Sequence, residues 1–301
     1  QVDAIRGMCP ELPAENIVAE PVGRDTAPAV GLAALLVEQR DTDAVFAILP
    51  SDHVVHDAAG FRHVLAKGFA LAGQGDHLVT IGIEATHPAT GYGYIEKGAA
   101  LQGADGIEIG NKVERFVEKP DLATAKAYVE SGRFLWNAGM FVWSVQSIRA
   151  AMARYHPSLA NGLDRIREAV RGGKTLDEVL ASEYPQLDRI SIDYAVMEKA
   201  SNSVVIPSEF DWDDVGEWPA IERHSGKDAS GNLVRGLAVA VDSRDNIVYN
   251  DGGRVTALLG VEDLIVVHTA DATLVCPRSK AQQIKKLLKE LRDREETRRF
   301  L

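Results

Sequence analysis

The order of apolar and polar positions divides the chain into a long alternating part and a shorter β-rich part. Through about residue 226, short apolar runs alternate with amphipathic segments, which predicts strands and helices that follow one another. The predicted strands cover 44–49, 78–83, 113–117 and 139–143, the predicted helices begin near Thr26, Phe61, Asp121 and Ser191, and a helical insertion covers 146–180. This rhythm favours a mostly parallel sheet flanked by helices, with Thr26 as a helix N-cap.

The pattern changes after Trp218, so we predict one domain over 1–226 and a second over 227–301. Short apolar strands over 237–241, 255–259, 264–267 and 273–275 are separated by Asn, Asp and Gly turns that leave no room for crossover helices. A charged helix follows from about Ser279. Its apolar stripe consists of Ile284, Leu287, Leu288 and Leu291. Packing on the β-rich domain is the simpler interpretation of this stripe, and contact with a second copy in a homodimer is the alternative.

Composition narrows the possible partners. The 301 residues carry a net charge of −11, which argues against nucleic acid and anionic membranes but is compatible with a phosphorylated small molecule. No apolar run approaches the roughly 20 residues of a membrane span. Two cysteines near opposite ends, Cys9 and Cys276, form neither a disulfide framework nor a zinc motif, which favours a cytoplasmic location.

Clustered carboxylates give the strongest chemical signal. The segment FDWDDVGEW (210–218) holds three aspartates, and Asp52 follows the apolar run 44–49 at the predicted end of a buried strand. Clustered carboxylates repel one another unless water or a cation lies among them. If Asp52 and Asp214 meet, they form a Mg²⁺ site that shares its ion with substrate phosphates.

Two glycine-containing segments have both a structural and a ligand-binding interpretation. GRDTAPA (23–29) places Arg24 just before a helix N-terminus, where the dipole favours an anion, although a simple capped helix fits equally well. GYGYIEKG (91–98) lacks the spacing of a dinucleotide-binding loop and continues into a β-like segment. Its glycines either form a tight turn or allow the backbone to approach a ligand closely.

Two further segments carry polar side chains that need partners. In FVEKP (116–120), Pro120 can break strand alternation so that Glu118 and Lys119 reach one cleft, and the alternative is a solvated ion pair. In WNAGMFVW (136–143), Asn137 requires hydrogen-bond partners, either a ligand hydroxyl or a backbone group. We interpret His53 as a residue at a strand end rather than a catalytic base.

Considered together and in order, these segments are similar to the motifs of one family. The chain contains EPVGRDTAPA, LPSDH, GYGYIEKG, FVEKP, LWNAGMFVW, SIDYAVMEK and FDWDDVGEW. It resembles the mannose-1-phosphate guanylyltransferases of the sugar-1-phosphate nucleotidyltransferase superfamily along nearly its whole length. The resemblance implies a Rossmann-like α/β nucleotidyltransferase domain followed by a small left-handed β-helix. It also implies the conversion of GTP and mannose 1-phosphate to GDP-mannose and pyrophosphate.

The resemblance also implies roles for individual residues. Asp52 and Asp214 would hold Mg²⁺, and Lys119 would bind the phosphate of mannose 1-phosphate. The residues expected along the guanine nucleotide are Glu20, Arg24 and Thr26. The residues expected to contact the mannose are Gly93, Glu118, Asn137 and Gly139.

The chain differs from the family pattern at its start. The family's glycine-rich loop, of the kind GGxGxRLWP, is not present, so we expect an N-terminally incomplete nucleotidyltransferase domain without its first strand. Two alternatives remain at this point. One is a sugar-1-phosphate nucleotidyltransferase with another substrate pair, and the other is a non-catalytic regulatory or assembly paralogue that lost the phosphate loop.

Overall fold

The computed structural model describes residues 2–103, 106 and 108–300. The chain forms two compact units, the first from Gln1–Ser51 and Val55–Trp212 and the second from Asp52–Val54 and Asp213–Leu301. Within the described residues, every helix is too short or too polar to cross a membrane.

A mixed sheet forms the centre of the first unit. Its strands are β1 (Val45–Ile48), β2 (Leu78–Glu84), β3 (Tyr94–Gln102), β4 (Glu108–Val117), β5 (Phe134–Ser144) and β6 (Ser203–Pro207). They lie in the order β1-β5-β2-β6-β4-β3, and β3 also pairs with β5. Only β2 and β6 pair in parallel among these described strands. The prediction of a mostly parallel sheet is therefore wrong, because most neighbouring strands run in opposite directions.

Helices cover both faces of this sheet. The described α-helices of the first unit are α1 (Val2–Met8), α2 (Thr26–Glu38), α3 (Ala58–Ala72), α4 (Leu122–Ser131), α5 (Val145–Tyr155), α6 (Pro157–Arg171) and α7 (Leu176–Glu183), and no residue of α1 is buried. Asp121 caps α4 as predicted, by accepting a hydrogen bond from the Thr124 amide at 2.8 Å. At α2, however, the N-cap is Asp25, whose carboxylate accepts from the Thr26 amide at 2.8 Å, so Thr26 is the first helical residue.

The strand β5 is buried on both faces, which explains its nearly continuous apolar sequence. Leu135, Phe141 and Trp143 belong to the core under α2, α5 and α6. Trp136 and Val142 belong to the second core, which includes residues of α3. Strand β5 therefore separates the two cores and pairs directly with β1, β2 and β3.

The second unit is a small β-helix-like fold. Its strands are β7 (Leu233–Arg235), β8 (Ala238–Val241), β9 (Ile247–Asn250), β10 (Thr256–Leu259), β11 (Leu264–His268) and β12 (Thr273–Pro277). The pairs β7–β9, β9–β11 and β8–β10 are parallel and are joined without helices, as expected for successive coils of a solenoid. This confirms the predicted β-helix-like fold, and its left-handedness stays a prediction. The boundary at 226/227 also stays a prediction.

Two buried asparagines connect successive coils of this unit. Asn232 and Asn246 are 1% and 0% exposed. The Asn246 side-chain amide donates to Asn232 Oδ1 at 2.9 Å and to the Val261 carbonyl at 3.1 Å, and its Oδ1 accepts from the Leu264 amide at 3.0 Å. These bonds join backbone groups of successive coils, and the Val261 carbonyl also accepts from the Arg244 amide at 3.1 Å.

The apolar stripe of the C-terminal helix α8 (Ile284–Asp293) is not buried against the β-rich domain, as the simpler interpretation had predicted. None of its residues is buried, and Leu287 and Leu288 are 45% and 41% exposed. The expected packing of the stripe into the β-rich domain is therefore not observed. The homodimer stays a prediction.

We predict that Asn246→Ala strongly destabilises the second unit. The substitution leaves the Val261 carbonyl and the Leu264 amide without their side-chain partners in a buried position, which should lower the free energy of unfolding by about 2 to 4 kcal/mol. Urea unfolding followed by circular dichroism measures the effect. Asn161→Ala, at an exposed position of α6, is the control and should change stability by less than about 0.5 kcal/mol. Equal effects of the two substitutions would show that the side-chain hydrogen bonds of Asn246 contribute little to stability.

Candidate active site

Asn137 lies at an irregularity in the pairing of β5 with β2. Thr80 pairs with Phe141 and Gly82 pairs with Asn137, so two residues along β2 are matched by four along β5. Asn137 keeps the regular alternation of β5, because the even-numbered residues from Phe134 to Val142 all belong to the second core. Gly139 has a φ of +65°, which favours glycine, and its amide donates to Asn137 Oδ1 at 3.1 Å.

Gly93 lies against the same asparagine. A Cβ atom at position 93 would come within 2.6 Å of Glu118 Oε2 and 3.3 Å of Asn137 Cβ. The Gly93 carbonyl also accepts a hydrogen bond from the backbone amide of Asn137 at 2.8 Å. Position 93 therefore requires glycine because two polar side chains approach its backbone, whereas Gly91 has open space around it.

Lys119 joins this group through an unusual backbone conformation. Its φ is +47°, in the left-handed region that non-glycine residues rarely adopt. Its Nζ forms a salt bridge with Glu118 Oε1, so the two neighbouring side chains meet instead of pointing to opposite faces. The Glu118 side chain is 9% exposed and the Lys119 side chain 59%. Burial lowers the pKa of Lys119, but hydrogen bonding and attraction by Glu118 outweigh this effect and raise it.

Asp193 completes the cluster and was not assigned a role from the sequence. It opens a short π-helical turn, Asp193–Met197, and its Oδ1 accepts from Asn137 Nδ2 at 2.9 Å. Burial, followed by repulsion from Glu118, raises the pKa of Asp193 to about 6. An acid within the apolar run IDYAVM was the available signal, but its partner lies 56 residues away in sequence. We call Gly93, Glu118, Lys119, Asn137 and Asp193 the amide–carboxylate cluster.

The residues expected along the nucleotide lie around the start of α2. The Tyr184 hydroxyl donates to Glu20 Oε1, and Tyr184 is fully buried. Burial and the neighbouring Glu20 carboxylate raise the pKa of this phenol. Arg24 Nε is buried without a hydrogen-bond partner among the described residues, which marks it as a donor available to a ligand. Sequence reasoning missed Tyr184, because nothing in its local pattern points to Glu20.

One short segment connects this region with the amide–carboxylate cluster. The Ile192 amide donates to Thr26 Oγ1 at 2.8 Å, and the Ala27 amide donates to the Ile190 carbonyl at 3.1 Å. Asp193 follows directly and binds Asn137. The first turn of α2 and the cluster are therefore held together by the segment 190–193.

The three aspartates of FDWDDVGEW have different roles. Asp211 accepts from the His56 and Asp57 amides at 3.0 and 2.7 Å, just before α3. Asp213 is 8% exposed and binds Arg223 and His224, with 2.7 Å between Oδ1 and Arg223 Nη2. Burial alone would raise the pKa of Asp213, but the Arg223 and His224 hydrogen bonds hold it below its usual range. Of the three clustered carboxylates, Asp211 and Asp213 therefore make structural contacts, and Asp214 is the one considered for the metal site.

Asp52 and Asp214 both raise the pKa of the same imidazole, that of His53 in the second unit. The His53 side chain is 14% exposed, and its Nε2 lies 4.0 Å from Asp52 Oδ1. Burial lowers the pKa of His53, while Asp52, Asp214 and Asp213 oppose this change in that order. Val215 follows with a φ of +46°, a strained conformation for a β-branched residue. The Asp52 side chain is 82% exposed, so its carboxylate is accessible to a hydrated ion.

The architecture is that of a nucleotidyltransferase domain followed by a β-helix-like domain. Residues 9–231 match the family described as Nucleotidyl transferase, and residues 236–291 match the MannoseP isomerase/GMP-like beta-helix domain. The chain therefore belongs to the nucleotidyl transferase family. This confirms the predicted fold class.

Similar proteins support the resemblance to mannose-1-phosphate guanylyltransferases. The Xanthan biosynthesis protein XanB of Xanthomonas campestris pv. campestris (strain B100) is 39% identical, over 92% of this chain and 57% of the relative. A mannose-1-phosphate guanylyltransferase of Escherichia coli is 37% identical, over 94% and 59%. The crystal structure described as mannose-1-phosphate geranyltransferase from Thermus thermophilus has a TM-score of 0.77 and 36% identity, over 95% of this chain and 81% of that chain.

The predicted similarity to mannose-1-phosphate guanylyltransferases is therefore confirmed. The chain spans 57% to 59% of the length of these two curated relatives.

We predict that Asp193→Asn stabilises the protein at neutral pH but not in acid. The pKa of about 6 lies above the ordinary value of 3.8, so the folded protein binds this proton more tightly than the unfolded chain does. The unfavourable contribution of the ionised carboxylate therefore develops as the pH rises from about 4 to about 6. Urea unfolding should show the variant more stable by about 1 to 3 kcal/mol at pH 7. A stability difference that is the same at pH 4 and pH 7 would contradict this explanation.

Proposed function

We propose that the protein containing this chain transfers GMP from GTP to mannose 1-phosphate, producing GDP-mannose and pyrophosphate. The observation that carries this proposal is the amide–carboxylate cluster within a nucleotidyl transferase fold. The cluster offers the hydrogen-bonding groups of Asn137 and Glu118 and the ammonium group of Lys119, which suit a hydroxylated ligand that carries a phosphate. Relatives named mannose-1-phosphate guanylyltransferase support the choice of substrates.

The sugar phosphate would bind at the cluster. Glu118 and Asn137 would hydrogen-bond the mannose hydroxyls, and the backbone at Gly93 and Gly139 would permit close approach of the ring. Lys119 would bind the phosphate, exchanging its salt bridge with Glu118 for a second anionic partner. A flexible ammonium group suits such an exchange, because it presents several donors from one point charge.

The nucleotide would lie along the start of α2. The buried Arg24 Nε and the exposed Glu20 carboxylate offer one donor and one acceptor of the kind that a purine edge or a ribose needs. The Thr26 hydroxyl, whose oxygen accepts from the Ile192 amide, would add its hydrogen as a donor at the helix N-terminus, where the helix dipole favours phosphate.

Asp52 and Asp214 would hold Mg²⁺. Among the described residues, no group of three or more His, Cys, Asp or Glu side chains could hold a metal ion alone. Two carboxylates with phosphate oxygens and water as the remaining ligands are nevertheless a usual arrangement for Mg²⁺. When bound, the ion neutralises charge on the reacting phosphates. The cytoplasmic location predicted from composition stays a prediction.

The reaction needs no nucleophilic side chain. An oxygen of the sugar phosphate attacks the α-phosphorus of GTP, a new P–O bond forms, and the bond between the α-phosphorus and its bridging oxygen to the β-phosphate breaks. Pyrophosphate leaves with that electron pair. The contribution of the protein is to orient the two anions, through contacts with the sugar hydroxyls and the nucleotide, and to lower their repulsion through the positive charges of Lys119 and Arg24.

A substrate panel tests the proposal directly. The protein expressed from its full native reading frame is assayed with GTP, UTP, dTTP and ATP against mannose 1-phosphate and glucose 1-phosphate. We expect kcat/KM for GTP with mannose 1-phosphate to exceed every other pair by about 100-fold. Preference for another pair would overturn the substrate assignment. An absence of turnover with all pairs would favour the regulatory paralogue.

We predict that Asp52→Asn and Asp214→Asn each lower Mg²⁺-dependent kcat by about 100-fold or more, because each replaces a charged ligand with a neutral amide. Thermal melting of Asp52→Asn should stay within about 2 °C of the wild type, since Asp52 is exposed. An asparagine at position 214 keeps an oxygen that can accept from the Gly216 amide, so Asp214→Asn should also fold. Asp76→Asn, an exposed carboxylate before β2, is the matched control and should retain full turnover. Near-normal activity of either site variant would refute the metal assignment.

A further inference from the structure

We propose that Asp193 is a positioning residue for the sugar phosphate, because it fixes the orientation of the Asn137 amide. This inference rests on the proposed function of the amide–carboxylate cluster. Asp193 lies within the SIDYAVMEK segment but is not among the residues expected to contact the sugar.

The hydrogen bonds allow one orientation of the amide. The Gly139 backbone amide can only donate, and it contacts Asn137 Oδ1 at 3.1 Å. An ionised Asp193 carboxylate can only accept, and it contacts Asn137 Nδ2 at 2.9 Å. The reversed amide would place two donors together at Gly139 and two acceptors together at Asp193. With one Nδ2 hydrogen on Asp193, Asn137 presents its second Nδ2 hydrogen as a donor for a sugar hydroxyl.

The backbone holds Asp193 rigidly in this role. The Ile192 amide is bound to Thr26 Oγ1, and the Ala195 amide donates to the Ser191 carbonyl at 2.9 Å. The carboxylate is therefore anchored from both sides along the chain. Its position also links the orientation of Asn137 to the first turn of α2.

The charge of Asp193 is unfavourable for the fold, which points to a ligand. An asparagine at this position could accept the same hydrogen bond from Asn137 without bringing a second carboxylate close to Glu118. The charged groups that face Asp193 are Glu118, which repels it, and Lys119, which attracts it. Asp193 in turn favours the charged form of Lys119, the form that a phosphate requires.

Steady-state kinetics of two variants test the inference in the protein expressed from its full native reading frame. Asp193→Ala removes the acceptor and should raise KM for mannose 1-phosphate by about tenfold or more, with KM for GTP changed by less than about twofold. Asp193→Asn keeps the acceptor and should raise KM for mannose 1-phosphate by only about threefold at pH 8. Lys119→Ala supplies the reference for a lost sugar-phosphate contact. Asp188→Asn, an exposed carboxylate five residues upstream, is the matched control.

The pH profile separates positioning from a merely structural role. Mannose 1-phosphate itself titrates near pH 6, so the informative quantity is the ratio of KM between Asp193→Asn and wild type at each pH. This ratio should fall from about 3 at pH 8 to about 1 at pH 5, where the wild-type carboxyl is also neutral. A ratio that does not change with pH would overturn the inference, as would equal weakening of both substrates.

The inference stays testable in three unfavourable cases. If Asp193→Ala fails to fold, as judged by its melting curve, the pH-dependent ratio of Asp193→Asn alone decides. If the wild type prefers another substrate pair, the proposed function fails, and the same comparison with the preferred sugar phosphate still tests Asp193. Calorimetric titration with sugar phosphate replaces kinetics if no pair is turned over, and unchanged affinity in Asp193→Ala would then overturn the inference.

Discussion

The burial of β5 on both faces is the constraint on which the first unit depends. A strand that separates two cores must be apolar nearly throughout, and every polar group on it needs a partner. Asn137 meets this requirement through Gly139 on its own strand and Asp193 on a distant turn. In this unit, the candidate sugar site is a consequence of how one buried strand satisfies one amide.

The division of the carboxylates shows how similar side chains acquire different roles. Asp211 binds backbone amides before α3, and Asp213 is neutralised by Arg223 and His224. Neither would accept a cation without losing a structural partner. Asp52 remains largely exposed, and Asp193 is kept ionisable near pH 6 by its surroundings. Local partners, rather than the density of acids along the chain, separate the structural carboxylates from those proposed to act in the site.

The sequence predicted the fold class, because long apolar runs and polar strand ends are local signals, and the roles of the candidate site residues stay predictions. Glu118 and Lys119 do meet, as the proline after them suggested. The strand directions were not predictable, since antiparallel pairs such as Val45 with Ser144, between β1 and β5, join segments that are far apart in the sequence. Strands β6, β7 and β9 were also missed. Asp193 was missed because its role depends on Asn137, which is near only in the folded chain.

The left-handed backbone at Lys119 has a consequence for laboratory evolution. A non-glycine residue in this conformation carries about 1 to 2 kcal/mol of strain, which glycine would relieve. Selection for heat tolerance or expression yield alone would therefore draw this position towards glycine and remove the ammonium group at the same time. Libraries screened only for soluble, robust protein would enrich clones that fold well and lack the ammonium group proposed to bind phosphate.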